Sequence, residues 1–183
     1  LDKNKDIYAI IFCRTRRETK EVSTKLMQDN YRANVLNGDL SQDERDYVMN
    51  QFRDLNIQIL VATDVASRGI DVNNLTHVIN FNLPDDPEVY IHRSGRTGRA
   101  GREGISITLL KKKEEKRLKE IETLSKIQFK KDILPTKEEI INAQIYSFID
   151  KIQTVETENE EIKKILPSIY SKQESFSKEE LIL

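Results

Sequence analysis

The sequence predicts an α/β protein: a three-layer parallel sheet with helices on both faces, followed by a small all-helical extension. Three observations predict it. Short β-branched apolar runs alternate with capped, charged stretches, the spacing of βαβ units. All six glycines fall between Gly38 and Gly104. The basic residue type also switches along the chain: residues 1–110 hold eleven arginines and four lysines, whereas residues 111–183 hold one arginine and fourteen lysines. Arginine forks grip phosphates and carboxylates at two points, while lysines more often solubilise a helix face. The first part is therefore expected to hold a site and the second to be helical scaffold, with domains at residues 1–128 and 129–183.

Each element has a local reason. Ile7–Cys13 is apolar throughout, as a strand buried on both sheet faces must be. Thr15 with Glu18 forms a capping box that opens a helix to about Asn30. Arg32–Leu36 is a short strand ending near Gly38. Ser41 with Glu44 caps a second helix, whose Val48, Met49 and Phe52 share one face. Ile57–Ala62, His77–Phe81 and Gly104–Leu110 are further strands. Pro87 suits the first turn of a helix that should run to about Arg99. Lys111–Gln128 fits a last helix with Leu118, Ile121 and Leu124 on one side. Beyond Pro135, Thr136 and Glu139 form another capping box, ahead of Ile141, Ile145, Phe148 and Ile152. Ile162, Ile165, Leu166, Ile169 and Tyr170 make a second stripe, and Ser177 opens one more helix.

Composition excludes several classes. The chain has 183 residues, 33% of them charged, and a net charge of −1. Bulk attraction to nucleic acid is not expected, so any polyanion site must be a local patch. The longest apolar runs fall far short of the roughly 20 residues that cross a bilayer, so no membrane partner is expected. No signal peptide is visible. The single cysteine, Cys13, rules out a disulfide framework and fits a reducing cytoplasm. No metal-ligating cluster stands out.

In a parallel sheet the ligand lies beyond the carboxyl ends of the strands. The segments leaving those ends are Arg14–Arg17, Gly38–Asp39, Thr63–Asp71 and the stretch before Pro87. Thr63–Asp71 carries two carboxylates, a hydroxyl and an arginine. The strongest signal is His92-Arg93-Ser94-Gly95-Arg96-Thr97-Gly98-Arg99-Ala100-Gly101. On a helix, His92, Arg96 and Arg99 would share one face. Such a stripe is poor scaffold, since glycine weakens a helix by about 1 kcal/mol and like charges repel. It suits a phosphate grip.

Four stretches occur in order: Ile10-Ile11-Phe12-Cys13-Arg14-Thr15-Arg16-Arg17, Gly38-Asp39-Leu40-Ser41-Gln42-Asp43-Glu44-Arg45, Val61 through Asp71, and Tyr90 through Gly101. Over about residues 7–125 the chain resembles the second RecA-like domain of a DEAD-box ATP-dependent RNA helicase of the bacterial cold-shock type. The resemblance implies ATP with Mg2+ as cofactors, the metal held mainly by a first domain. It implies RNA and that N-terminal RecA-like domain as partners. Neither a Gly-x-x-x-x-Gly-Lys-[Ser/Thr] phosphate loop nor an Asp-Glu-Ala-Asp motif occurs here. The chain is therefore expected to be half of a bipartite ATPase, inactive alone.

The family's roles carry over by position. Arg96 and Arg99 match arginine fingers for the γ-phosphate, and His92 and Arg93 match residues that couple ATP to the domain interface. Asp71 matches a ribose contact, with Gly69 beside it. Arg14, Thr15, Arg17, Gly38, Asp39, Gln42, Arg45, Thr63 and Arg68 match contacts to the RNA backbone. Arg14 stands where asparagine is common in the family, and Ser94 where isoleucine is common. Lys116–Ile152 resembles an extension through which some such helicases dimerise. Two readings of the tail stay open: helices docked within the chain, or a homodimer contact. A binding or assembly module without a catalytic role is the alternative to the enzyme half.

Overall fold

The computed structural model describes residues 7–67, 72, 75–98, 101, 103–153 and 167. Five parallel strands form one sheet in the order β2-β3-β1-β4-β5. They are β1 (Ala9–Phe12), β2 (Ala33–Leu36), β3 (Ile59–Ala62), β4 (His77–Asn80) and β5 (Ile105–Thr108). Helices α1 (Arg16–Gln28), α2 (Gln42–Arg53), α3 (Asp64–Ser67) and α4 (Pro87–Ser94) follow the first four strands in turn. After β5 come a short 3₁₀ turn and α5 (Glu115–Ser125).

The central strand β1 explains the layering. It pairs with β3 on one side and β4 on the other, in register from Ala9 to Phe12. Its side chains alternate between two apolar cores, which is why it tolerates no polar residue. Ile10 and Phe12 join Leu60, Val78 and the α2 residues Val48, Met49 and Phe52 on one face. Ala9, Ile11 and Cys13 join Ile59 and Val61 on the other, beneath Val22 and Leu26 of α1. Tyr8 closes the first core: its ring lies 4.5 Å from that of Phe52, and its hydroxyl donates to the Phe52 carbonyl at 3.0 Å.

Both expected capping boxes form. Thr15 accepts from the Glu18 N–H while Glu18 accepts from the Thr15 N–H, and Ser41 and Glu44 do the same. Pro87 sits in the first turn of α4, whose cap is Asp86. Three expectations change. The helix from Pro87 stops at Ser94, well before Arg99. The last helix is α5, with a separate 3₁₀ turn at Lys112–Glu114 in front of it. Leu118 and Ile121 pack against Tyr90 and Leu83, but Leu124 is 68% exposed and takes no part in that core.

The first compact unit extends to Asp132. Phe129 explains the reach past residue 128. Its ring lies 5.2 Å from that of Tyr90 on α4, and its N–H donates to Glu122 at 3.0 Å.

The second unit begins at Ile133. It contains α6 (Lys137–Gln153), opened by the expected box in which the Thr136 N–H donates to Glu139 at 2.7 Å. Ile141 and Ile145 are exposed on it. The side chains of Phe148 and Ile152, the stripe at 162–170 and the opening at Ser177 lie outside the described residues. No described helix is long and apolar enough to cross a membrane.

On the α1 side the sheet is unevenly covered. Ile105 and Ile107 of β5 pair with His77 and Ile79 and share their face, yet remain 52% and 41% exposed.

Ile121→Ala should lower stability by about 2–4 kcal/mol, because it empties a closed apolar site. Leu124→Ala should stay within about 0.5 kcal/mol. Urea midpoints at unchanged slope would check both.

Candidate functional site

Polar residues take over where the strands end. Asn37 follows β2 and is fully buried. Its amide donates to Thr19 Oγ1 at 2.9 Å, and its carbonyl oxygen accepts from the Asp39 N–H at 2.9 Å. This fixes the Gly38–Asp39 turn against α1. A side chain at Gly38 would press on the Arg16 guanidinium at 3.3 Å, so glycine gives that fork a flat seat. Asp39 then pairs with Lys20 at 2.6 Å and Arg16 at 2.9 Å. The two cations hold its carboxyl below the usual range, Lys20 most strongly. The stabilisation from Asp39 is thus present above the ordinary carboxylate pKa and lost as pH falls through the depressed value.

Most of the expected RNA-facing residues have protein partners. The Arg14 N–H donates to Asn82 at 2.9 Å, and its guanidinium to the Leu83 carbonyl at 3.2 Å and Asp85 at 3.4 Å. Asp85 also pairs with Arg117 of α5. Thr15 spends its hydroxyl on the helix cap. Arg17 pairs with Glu21 at 2.7 Å and is 89% exposed, so that pair is weak and readily exchanged. Gln42 donates to Asp46 at 2.9 Å, and Arg45 donates to the Ala66 carbonyl at 3.0 Å. Thr63 directly follows β3 and is half-buried.

Arg93 is the centre of the site. Its side chain is 4% exposed. Nε and Nη2 donate to the two Asp64 oxygens at 2.6 and 2.7 Å, and Nη1 donates to Asn80 Oδ1 at 2.9 Å and the Asn82 carbonyl at 3.1 Å. The guanidinium carbon lies 5.0 Å from the centre of the Phe12 ring. Every nitrogen is engaged by protein, so Arg93 braces the strand ends from beneath. A cavity of about 190 Å³ opens beside it, between Arg14, Asn82, Pro84 and Val89.

His92 is exposed on α4, and Arg96 lies two residues past its end. His92 and Arg96 therefore do not share a helical face. Gly95 caps the helix, and the Thr97 hydroxyl donates to the Leu75 carbonyl within a β-bridge between those residues. That bridge draws the chain off the helical path. Gly98 has φ +67°, a conformation that favours glycine. Gly104 closes the turn from the other side, where an added Cβ would land on the Gly98 nitrogen and the Thr97 hydroxyl. Arg68, Gly69, Asp71 and Arg99 lie outside the described residues.

Sequence reasoning passed over Asn37, Asn80 and Asp64, although Asp64 stood in a segment it had marked. A buried asparagine at the end of an apolar strand was the available signal. Cys13, beside this network, has its thiol pushed up to about 12, by burial first, then by Glu18, against the opposing pull of Arg93.

Among the described residues no group of His, Cys, Asp and Glu could hold a metal.

Comparison with known proteins shows the family. Residues 1–101, more than half of the chain, match the family described as helicase conserved C-terminal domain. Residues 140–183 match the helical domain of a probable ATP-dependent RNA helicase. The DEAD-box ATP-dependent RNA helicase CshA of Bacillus cereus is 42% identical over 160 residues, covering 87% of this chain and 30% of that relative. The chain thus spans about a third of the length of the curated relatives it matches. A crystal structure of a DEAD box protein from the hyperthermophile Methanococcus jannaschii aligns with a TM-score of 0.65 at 48% identity, over 69% of this chain and 35% of that one. Dbp5 of S. cerevisiae, bound to RNA and ADP BeF3, aligns with a TM-score of 0.66 at 31% identity, over 79% and 39%.

Two outcomes follow from this geometry. Gly104→Ala should cost about 1–3 kcal/mol, since backbone must shift to admit the methyl group, and thermal unfolding would read it. Cys13 should resist iodoacetamide at pH 8 in the folded chain and react at an ordinary rate in urea. Its raised pKa stabilises the fold below the ordinary thiol value of about 8.5, and that contribution is lost as pH rises toward the folded value.

Proposed function

The chain belongs to the DEAD-box ATP-dependent RNA helicase family, carrying its conserved C-terminal helicase domain, and from that membership we propose that it supplies the second half of a bipartite RNA-stimulated ATPase. The first unit closes on a partner RecA-like domain with ATP and RNA between them. Arg96, with Arg99, meets charge on the transferring γ-phosphoryl group, and Asp71 holds the ribose. Arg14–Arg17, Gly38–Asp39 and Thr63 lie along the RNA backbone. Contacts of this kind are independent of sequence. Closure bends one strand and expels the other, and hydrolysis reopens the clamp.

The observation that carries this reading is the siting of the segments expected to contact ligand. Arg14–Arg17, Gly38–Asp39 and Thr63–Asp64 all leave carboxyl ends of parallel strands, where open α/β sheets bind ligands. Around Arg16 and Arg17 the ion pairs are exposed, so phosphates can replace Asp39 and Glu21 at little cost. The turn bearing Arg96 is braced from two sides, by Leu75 and by Gly104. A bare RNA-binding platform has no need of such a brace.

The test joins this chain to the portion of the CshA relative that it does not span. RNA-stimulated ATP hydrolysis should appear. Arg96→Ala should then lower kcat by about 10³-fold or more, the size of an arginine-finger effect. RNA binding should largely survive and should weaken steeply with added salt. Normal hydrolysis by the Arg96→Ala protein would show the finger assignment to be wrong.

A further inference from the structure

We propose that Asp64 is a positioning residue for the turn that carries Arg96, acting through Arg93. The proposal deepens the reading above and, for its catalytic readout, rests on it.

The turn hangs from the last turn of α4. The N–H groups of Gly95, Arg96 and Thr97 donate to the carbonyls of Ile91, Arg93 and Ser94 at 2.9, 3.1 and 3.1 Å. Beside the brace at Leu75, the Arg96 backbone is therefore tied to the Arg93 backbone, whose side chain anchors that end of the turn. Of the groups that accept from that buried guanidinium, Asn80 Oδ1 and the Asn82 carbonyl are neutral, and only Asp64 carries charge. A buried cation without its counter-ion is costly, so loss of the Asp64 charge drives Arg93 toward solvent. An isosteric amide has one accepting oxygen and cannot take both bonds.

Asp64 is itself held. It opens α3, the Ser67 hydroxyl donates to its carbonyl at 2.8 Å, and Arg45 of α2 grips Ala66 in the same short helix. Thr63, assigned to RNA, is its chain neighbour. The ion pair thus joins a segment at the RNA-facing strand ends to a turn beyond the far end of α4. Four hydrogen bonds from three groups hold one guanidinium over an aromatic ring and leave it little freedom. A shift of Thr63–Asp64 is passed to the Arg96 turn as a movement of Arg93.

The first experiment needs no activity. Amide hydrogen exchange is measured on this chain and on Asp64→Asn. Exchange at Gly95, Arg96 and Thr97 should rise by about tenfold or more, while amides of β1 and β3 stay near their original rates. Arg93→Lys, which cannot make the two-point pair, should give the same pattern. Unchanged rates at the turn overturn the proposal. An equal rise across the sheet also overturns it, because it marks general destabilisation. If Asp64→Asn does not fold, Asp64→Glu takes its place under the same criteria.

The second experiment uses the CshA-joined protein. Asp64→Asn should lower kcat by about tenfold or more while KM for ATP changes little, the split expected when a transition-state contact is displaced. If Arg96→Ala abolishes turnover and Asp64→Asn leaves it intact, the positioning role falls and the finger reading stands. If neither variant lowers kcat, the finger reading has failed, and the exchange comparison still decides whether Asp64 holds the turn.

Discussion

One buried cation organises the polar half of this fold. Arg93 arrives on α4, an eight-residue helix too short to be rigid by itself. Desolvating a guanidinium is expensive unless charge and hydrogen bonds surround it. The surroundings are supplied by three separate stretches: Asp64 after β3, Asn80 at the end of β4, and Asn82 in the loop beyond. None of the three can move far without leaving part of that cation unsatisfied. The network ties the helix to the sheet where apolar packing is thin, because α4 contributes little to the core besides Tyr90.

What could be read in advance was what the chain decides locally. The capping boxes at Thr15, Ser41 and Thr136 each involve a partner three residues away, and all three form. The β1 run could be read as doubly buried because no polar side chain interrupts it. The patterning predicts a parallel sheet, whereas the strand order and register are seen only in the structure. The segments at the carboxyl ends of the strands were legible because alternating strands and helices imply a parallel sheet.

What could not be read depends on distant partners. The pair Arg93–Asp64 spans 29 positions, and Arg14 reaches Asp85 across 71. No periodicity encodes such a meeting. A helical face shared by His92 and Arg96 was a sound inference from spacing, and it failed for a tertiary reason, because α4 ends at Ser94. A bridge to Leu75 and the close approach of Gly104 outweigh helix continuation through two glycines. Leu124 likewise has the right spacing for the core but meets nothing there, since α5 leans on α4 through Leu118 and Ile121 alone. Arg14, unusual for the family, is matched by carboxylate and carbonyl partners that neighbouring loops provide.

The uneven cover of the sheet has a practical side. Among the described residues β5 pairs only with β4, so its outer N–H and C=O groups meet no further strand, and two isoleucines stand bare on one face. Strand margins of this kind recruit other strands. A net charge of −1 gives copies of the chain almost no mutual repulsion to prevent it. The bare margin of β5 is therefore an apolar strip open to such pairing, and a lysine at position 105 or 107 would blunt it.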